Sequence, residues 1–316
     1  MNIKFDYSAL NSSLKIFEKI EKNIVITEDE FNSYLEEEGI KFLNKHICHY
    51  GGSKLNNAAL IKFFASAIKN PKLESSDNII LKTIKQGLFR FSYAKETLTT
   101  LNLNQIADNS IKMANKFLPK PIDDDSNISI YFLYGIRGTS IMLNDKIAID
   151  LCDEVLWDKD KINSEYLTRI IAHEVHHVGT DKHFKAVIDN INSDREKDRC
   201  RLLCELLSEG SAMYYLNNPQ EFSTFKSIQW QSNDENIMSI LSEIGLIIDK
   251  VVAGKLPLDE QLESLFGEGL KGYSAGYHMV ELIDINFGVN AVLECILNID
   301  IFMEYYHRAK QSISGM

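Results

Sequence analysis

Residues 173–177 read His-Glu-Val-His-His, an H-E-x-x-H pattern inside a segment, residues 164–178, whose apolar side chains recur at helical intervals. This pentapeptide constrains the fold more than any other stretch, because its chemistry exists only if the segment is α-helical. Positions i and i+4 of a helix project from nearly one face. His173 and His177 can therefore grip one ion, while Glu174, rotated by about 100°, reaches a water beside it. Asn163-Ser164 can cap the helix, and Gly179, just past the periodic residues, reads as its stop. A catalytic zinc takes three protein ligands and keeps a fourth position for water, so a second element must deliver the missing ligand.

Two candidates compete for that place. Glu209 lies in Leu-Leu-Ser-Glu-Gly-Ser-Ala, residues 206–212, on a helix that the capping box Ser193…Glu196 opens. Glu205, one turn earlier, shares its face. Two carboxylates on a Leu-rich helix need neutralising, either by water and Arg195, Arg199 or Arg201, or by a zinc ion on Glu209 with Glu205 accepting a hydrogen bond from a ligand imidazole. His183 follows His173 by ten residues, as does the third histidine of the metzincin pattern H-E-x-x-H-x-x-G-x-x-H. The glycine disagrees, because Gly179 stands one residue early for the turn that pattern needs. Glu209 is the first choice, ahead of His183 and Glu205. His176 points to another helix face, which suits a supporting or solvent role.

The rest of the chain reads as a predominantly helical α+β protein. Residues 6–118 look like a run of helices, with a capping box at Thr27-x-x-Glu30 and helical periodicity over 58–68 and 79–91. His46, Cys48 and His49 sit near a helix end at Gly51-Gly52 and read as C-terminal capping, since 46 and 49 share a face that 48 does not. Pro119, Pro121 and the acidic residues 123–125 cannot continue a helix, so the main boundary falls there: a helical region over 1–120 and a zincin-like catalytic domain over 121–316. Residues 128–134 and 141–151 are rich in β-branched and aromatic side chains, with Gly135, Gly138 and Asn144-Asp145 as turn signals. They predict a small antiparallel or mixed sheet before the H-E-x-x-H helix.

Composition narrows the function. A net charge of −11, with an acidic run over residues 27–38 and no matching basic stripe, argues against nucleic acid as a partner. No stretch approaches 18 apolar residues and the first residues lack a basic-then-apolar leader, so neither a membrane span nor secretion is expected. Five scattered cysteines without C-x-x-C fit reduced thiols in the cytoplasm, with Cys200 and Cys204 as buried small hydrophobes.

H-E-x-x-H followed by E-G-S-A at 209–212 and by Tyr273-Ser-Ala-Gly276 resembles the gluzincin metallopeptidases. The order is similar to that of the aminopeptidase and leukotriene-hydrolase family and of uncharacterised bacterial zinc peptidases. The resemblance covers residues 128–297 and implies a zinc-dependent peptidase acting on peptides or proteins. His173, His177 and Glu209 would be the Zn2+ ligands, Glu174 the general base and then acid, and Tyr273 the donor to the oxyanion, with Tyr277 and His278 in reserve. The sequence departs from the aminopeptidases in two ways. The interval between His177 and Glu209 holds 31 residues, longer than theirs, and their G-x-M-E-N motif is replaced by a stretch over 138–144 without that glutamate. Aminopeptidase specificity is therefore not implied. The other readings are hydrolysis of a non-peptide amide or an epoxide, and a non-catalytic module in which zinc is structural and carries four protein ligands. The sequence leaves the oligomeric state open.

Overall fold

The computed structural model describes residues 2–49, 53–70, 72, 78–122, 127–138, 140–219, 228–267 and 269–314. Gly51-Gly52, residues 123–126 of the proline and acidic segment, and Thr139 lie outside the described residues.

The chain opens with β1 (Asn2–Asp6), α1 (Ser8–Glu21), α2 (Glu28–Leu35), α3 (Glu38–His49), α4 (Asn57–Lys69), α5 (Ile79–Thr100) and α6 (Leu103–Ala114). The strands β2 (Asn127–Leu133), β3 (Ser140–Leu143) and β4 (Lys146–Asp150) follow, then the short ribbon β5 (Trp157–Asp158) and β6 (Lys161–Ile162). Among the described residues eight helices follow: α7 (Ser164–Asp189), α8 (Asp194–Ala212), α9 (Ile228–Glu235), α10 (Ile237–Val252), α11 (Leu258–Phe266), α12 (Lys271–Phe287), α13 (Val289–Leu297) and α14 (Phe302–Ser314). The protein is thus predominantly helical α+β, with its main sheet before the H-E-x-x-H helix. Two compact units divide it, one made of residues 1–109 and 123–174, the other of 110–122 and 175–316. The division falls inside the continuous helix α7, between Glu174 and Val175.

The sheet of the first unit has the order β1-β2-β4-β3. β1, β2 and β4 run parallel, and β3 closes one edge antiparallel to β4, with Ile141 opposite Ala148. The sheet is therefore mixed. β1 was not legible as a strand: its five residues offer only Ile3 and Phe5 as an alternating pair, and its partner β2 lies more than a hundred residues away, so no hairpin signal marks it. Residues 141–151 form two strands joined at the Asn144-Asp145 turn that the sequence signals, where Asn144 has a φ of 59°, the left-handed geometry that asparagine tolerates. α1 and α3 pack on β2. Below them Phe17 meets Phe64, Phe91 and Tyr134 at ring distances of 5.6, 5.9 and 5.1 Å, and the Tyr134 hydroxyl donates to the Gly87 carbonyl at 2.9 Å. A buried Tyr needs such a partner.

In the second unit Leu203, Leu206 and Leu207 of α8 and Ala275, Met279 and Ile283 of α12 share a core with Ile244, Val292 and Phe302. α8 and α12 cross at two glycines. A Cβ on Gly210 would stand 2.3 Å from the carbonyl carbon and oxygen of Gly276, and one on Gly276 would stand 2.2 Å from the Leu206 carbonyl oxygen. Backbones approach this closely only where neither residue carries a side chain. Cys200 and Cys204 belong to the same core, and all five cysteines are free thiols. No described helix is long and apolar enough to cross a membrane.

Candidate metal centre

α7 begins as its sequence requires. Asn163 Oδ1 accepts the backbone N–H groups of Glu165 and Tyr166 at 2.9 and 3.3 Å, satisfying two donors that an uncapped helix would leave open. The helix then runs to Asp189, eleven residues past 178, so Gly179 is not its stop. Gly179 keeps helical backbone and lacks a side chain for a packing reason: a Cβ there would lie 2.4 Å from Leu118 Cδ1. Residues 171–180 are all buried, so the polar face that marks an amphipathic helix vanishes around the motif. Ser193 accepts from the Glu196 N–H at 3.5 Å at the start of α8, which passes directly after Ala212 into a π-helical segment, Met213–Asn217.

These two helices bring together the residues the sequence singles out. One ligand atom from each of His173, His177 and Glu209 lies within 4.8 Å of the others, with both histidines buried and Glu209 half-buried. His177 Nε2 stands 3.3 Å from Glu209 Oε2. Two ligand atoms about 2.0–2.2 Å from a tetrahedral zinc are separated by about 3.3–3.5 Å, so this pair already has the spacing of one edge of such a site. Two imidazole nitrogens and one carboxylate oxygen are also a donor set that zinc accepts. The residues fit the ion.

His183 does not join them. With α7 unbroken, it is carried on six residues beyond His177, about 9 Å along the axis and off the ligand face, and the turn that the third-histidine alternative needs is absent. Glu205 is also displaced from the role foreseen for it, because His177 Nδ1 faces Ser208 Oγ at 2.8 Å. His176 is buried, with Nε2 3.1 Å from the Phe117 carbonyl oxygen and its ring edge-on to that of His177 at 6.4 Å, so it does not meet solvent. Among the described residues, His46, Cys48 and His49 form no metal-ligating group.

Glu174, next to His173 in the chain, is buried, and the Ser140 hydroxyl donates to its Oε1 at 2.6 Å. Ser140 opens the edge strand β3, which the Asp150 carboxylate helps to place. Buried Asp150 accepts the N–H groups of Gly135, Ile136, Arg137 and Gly138 at 2.5–2.9 Å, and that of Cys152 at 2.9 Å. Residues 135–138 thus fold around one acceptor side chain.

The three candidate oxyanion donors lie on α12 in different surroundings. Tyr277 is buried against Trp230 and Tyr214 at ring distances of 5.6 and 5.4 Å, and burial pushes its hydroxyl above the ordinary tyrosine range. His278 sits between Glu281 Oε2 at 3.1 Å and Asp234 Oδ1 at 2.7 Å. Burial opposes its charge, but the hydrogen bonds to Glu281 and Asp234 outweigh burial and raise its pKa. Tyr273 is partly exposed and packs edge-on against Phe266 at 5.4 Å.

Over residues 32–314 the chain matches the family described as "Putative zinc dependent peptidase (DUF5700)". The chain belongs to that family. The match takes in α7, α8 and α12 and also most of the N-terminal helices, a wider span than the residues that carry the motifs. No curated protein and no solved structure matches the chain, so the likeness to the aminopeptidases is one of motifs and their order. Four polar residues of the site escaped sequence reasoning: Ser140, Asp150, Thr180 and Ser208. Ser208 alone carried a signal, as a lone hydroxyl beside Glu209 in a Leu-rich run.

Proposed function

We propose that the protein is a zinc-dependent hydrolase of peptide bonds in which His173, His177 and Glu209 hold the ion, Glu174 is the general base and Tyr273 donates to the developing oxyanion. The observation that carries this reading is the gathering of three ligand atoms within 4.8 Å, beside a carboxylate on the same helix. The number three supports a catalytic site over a structural one, since structural zinc closes its shell with four protein ligands and the described residues bring no fourth His, Cys, Asp or Glu to this group.

When bound, zinc supplies Lewis acidity toward the scissile carbonyl and makes a water acidic enough to be a nucleophile near neutral pH. Glu174 takes the proton from the attacking water and passes it to the departing amide nitrogen, first as base and then as acid. Ser140 holds Oε1 of Glu174, which fixes the carboxylate's orientation through both transfers. Tyr273 gives a hydrogen bond to the carbonyl oxygen as it gains charge. Tyr273 packs against the same aromatic cluster as Tyr277 but stays partly exposed, whereas Tyr277 is buried and both ring nitrogens of His278 face carboxylates; the partial exposure favours Tyr273 among the three.

A peptide suits the edge strand β3, whose outer side can pair with an extended backbone while Ser140 keeps that edge close to Glu174. The gluzincin likeness gains support from the crossing of α8 and α12, where the glycine of E-G-S-A lies against that of Y-S-A-G. The free cysteines suit a reducing compartment, the cytoplasm. The test is zinc-loaded enzyme incubated with a defined peptide library and read by mass spectrometry. Wild type is expected to cleave, and Glu174→Gln to bind zinc yet leave the library intact. Equal cleavage by the two proteins would overturn the assignment.

A further inference from the structure

We infer that Ser208 and Thr180 are positioning residues that fix which nitrogen of His177 carries the proton, through a ring of hydrogen bonds that begins and ends on His177. The inference rests on the reading of His177 as a metal ligand. His177 Nδ1 lies 2.8 Å from Ser208 Oγ, Ser208 Oγ lies 3.0 Å from Thr180 Oγ1, and the Thr180 hydroxyl donates to the His177 carbonyl oxygen at 3.2 Å. All three residues are buried, with Thr180 wholly enclosed. Within so small a ring each hydroxyl has one proton to give, so the directions are linked.

A neutral imidazole carries one N–H and one lone pair. Nε2 is the nitrogen that faces Glu209, at 3.3 Å, so it must keep its lone pair for the metal and the proton must sit on Nδ1. Ser208 Oγ then accepts from Nδ1–H, the Ser208 proton goes to Thr180 Oγ1, and the Thr180 proton goes to the His177 carbonyl. No other direction around the ring satisfies all three contacts with Nε2 unprotonated. A ligand histidine ordinarily hands this proton to a carboxylate, a carbonyl or water. Here two neutral hydroxyls relay it to the main chain of the ligand itself, so the final acceptor is fixed to the helix that carries the imidazole. The relay also adds no negative charge, which leaves His177 less electron-rich than a carboxylate partner would.

The experiment measures zinc affinity by competition with a chromophoric chelator, together with the apo-protein melting temperature, for wild type, Ser208→Ala, Thr180→Val and Thr180→Ser. Ser208→Ala is expected to weaken zinc binding by roughly 10–100-fold and Thr180→Val by roughly tenfold, while Thr180→Ser, which keeps the hydroxyl, stays near wild type. Thr180→Val conserves shape, so an unchanged apo melting temperature separates positioning from folding. Nitrogen-15 NMR of zinc-loaded protein should show His177 protonated at Nδ1, with that N–H proton downfield in wild type and Thr180→Ser and moved upfield in Ser208→Ala, which removes its acceptor. Wild-type affinity in both Ser208→Ala and Thr180→Val, or in either one, would overturn the relay. Failure of wild type itself to bind zinc would instead overturn the metal reading beneath it.

Discussion

Replacing Gly210 by alanine should destabilise the protein although alanine is the better helix former. The added Cβ would stand 2.3 Å from the carbonyl carbon and oxygen of Gly276, where ordinary contact begins near 3.5 Å. The obstacle is backbone, so no side chain can turn aside, and α8 and α12 must part by more than about 1 Å. A gap of that size forfeits a quarter to a half of each dispersion contact along the seam of Leu206, Leu207, Ala275 and Met279, and overpacking of this kind costs about 3 kcal/mol at the upper end of its usual range. Helix propensity offsets about 1 kcal/mol, leaving a net loss of about 2 kcal/mol and, for a chain of this length, a fall in Tm of roughly 3 °C. Gly245 of α10 supplies the control, because nothing lies within 4 Å of its added Cβ. Gly245→Ala should gain about 1 kcal/mol and raise Tm by roughly 1–2 °C. The assay is thermal unfolding by circular dichroism in excess chelator, so that bound metal does not mask the difference. A Gly210→Ala protein melting at or above wild type would refute the close crossing.

Three further outcomes follow from the site. Tyr273→Phe should lower kcat by on the order of 100-fold, about 3 kcal/mol, with zinc affinity unchanged, whereas Tyr277→Phe should leave kcat near wild type; the reverse pattern in steady-state kinetics would move the oxyanion donor. The stabilisation lost in His278→Asn should depend on pH. The folded pKa of His278 is raised, so its contribution is full below the unfolded value of about 6.5 and fades as pH rises through the folded value, and the Tm gap between wild type and variant should narrow from pH 5.5 to pH 9. A gap that widens with pH would contradict the two-carboxylate pairing. His183→Ala should retain wild-type zinc affinity in a chelator competition, since α7 carries His183 away from the ligand face, and a large loss would bring the third-histidine alternative back.

The site was legible where chemistry is local and opaque where it is tertiary. H-E-x-x-H carries its own geometry once the segment is helical, and Asn163 announces that helix one residue before it starts. Glu209 could be found because a carboxylate in a Leu-rich helix is conspicuous. The length of α7 could not, because Gly179 has the look of a stop and its real cause is Leu118, sixty-one residues earlier in the chain. β1 was hidden for the same reason: a parallel strand has its partner far away, and five residues are too few to show a period. Ser140, Asp150 and Thr180 are ordinary polar residues in sequence. Their place comes from burial next to Glu174, a turn and His177, which only the packed chain reveals. α6 ends at Ala114, ahead of Pro119 and Pro121, and residues 110–122 group with the second compact unit while residues 123–174 group with the first.

The most direct test is the anomalous scattering of a zinc-loaded crystal recorded on both sides of the zinc edge. A single peak per chain is expected about 2.0–2.2 Å from a nitrogen of His173, from Nε2 of His177 and from a carboxylate oxygen of Glu209, with no fourth protein ligand. A peak bound by other residues, or one closed by four protein ligands, would contradict the account.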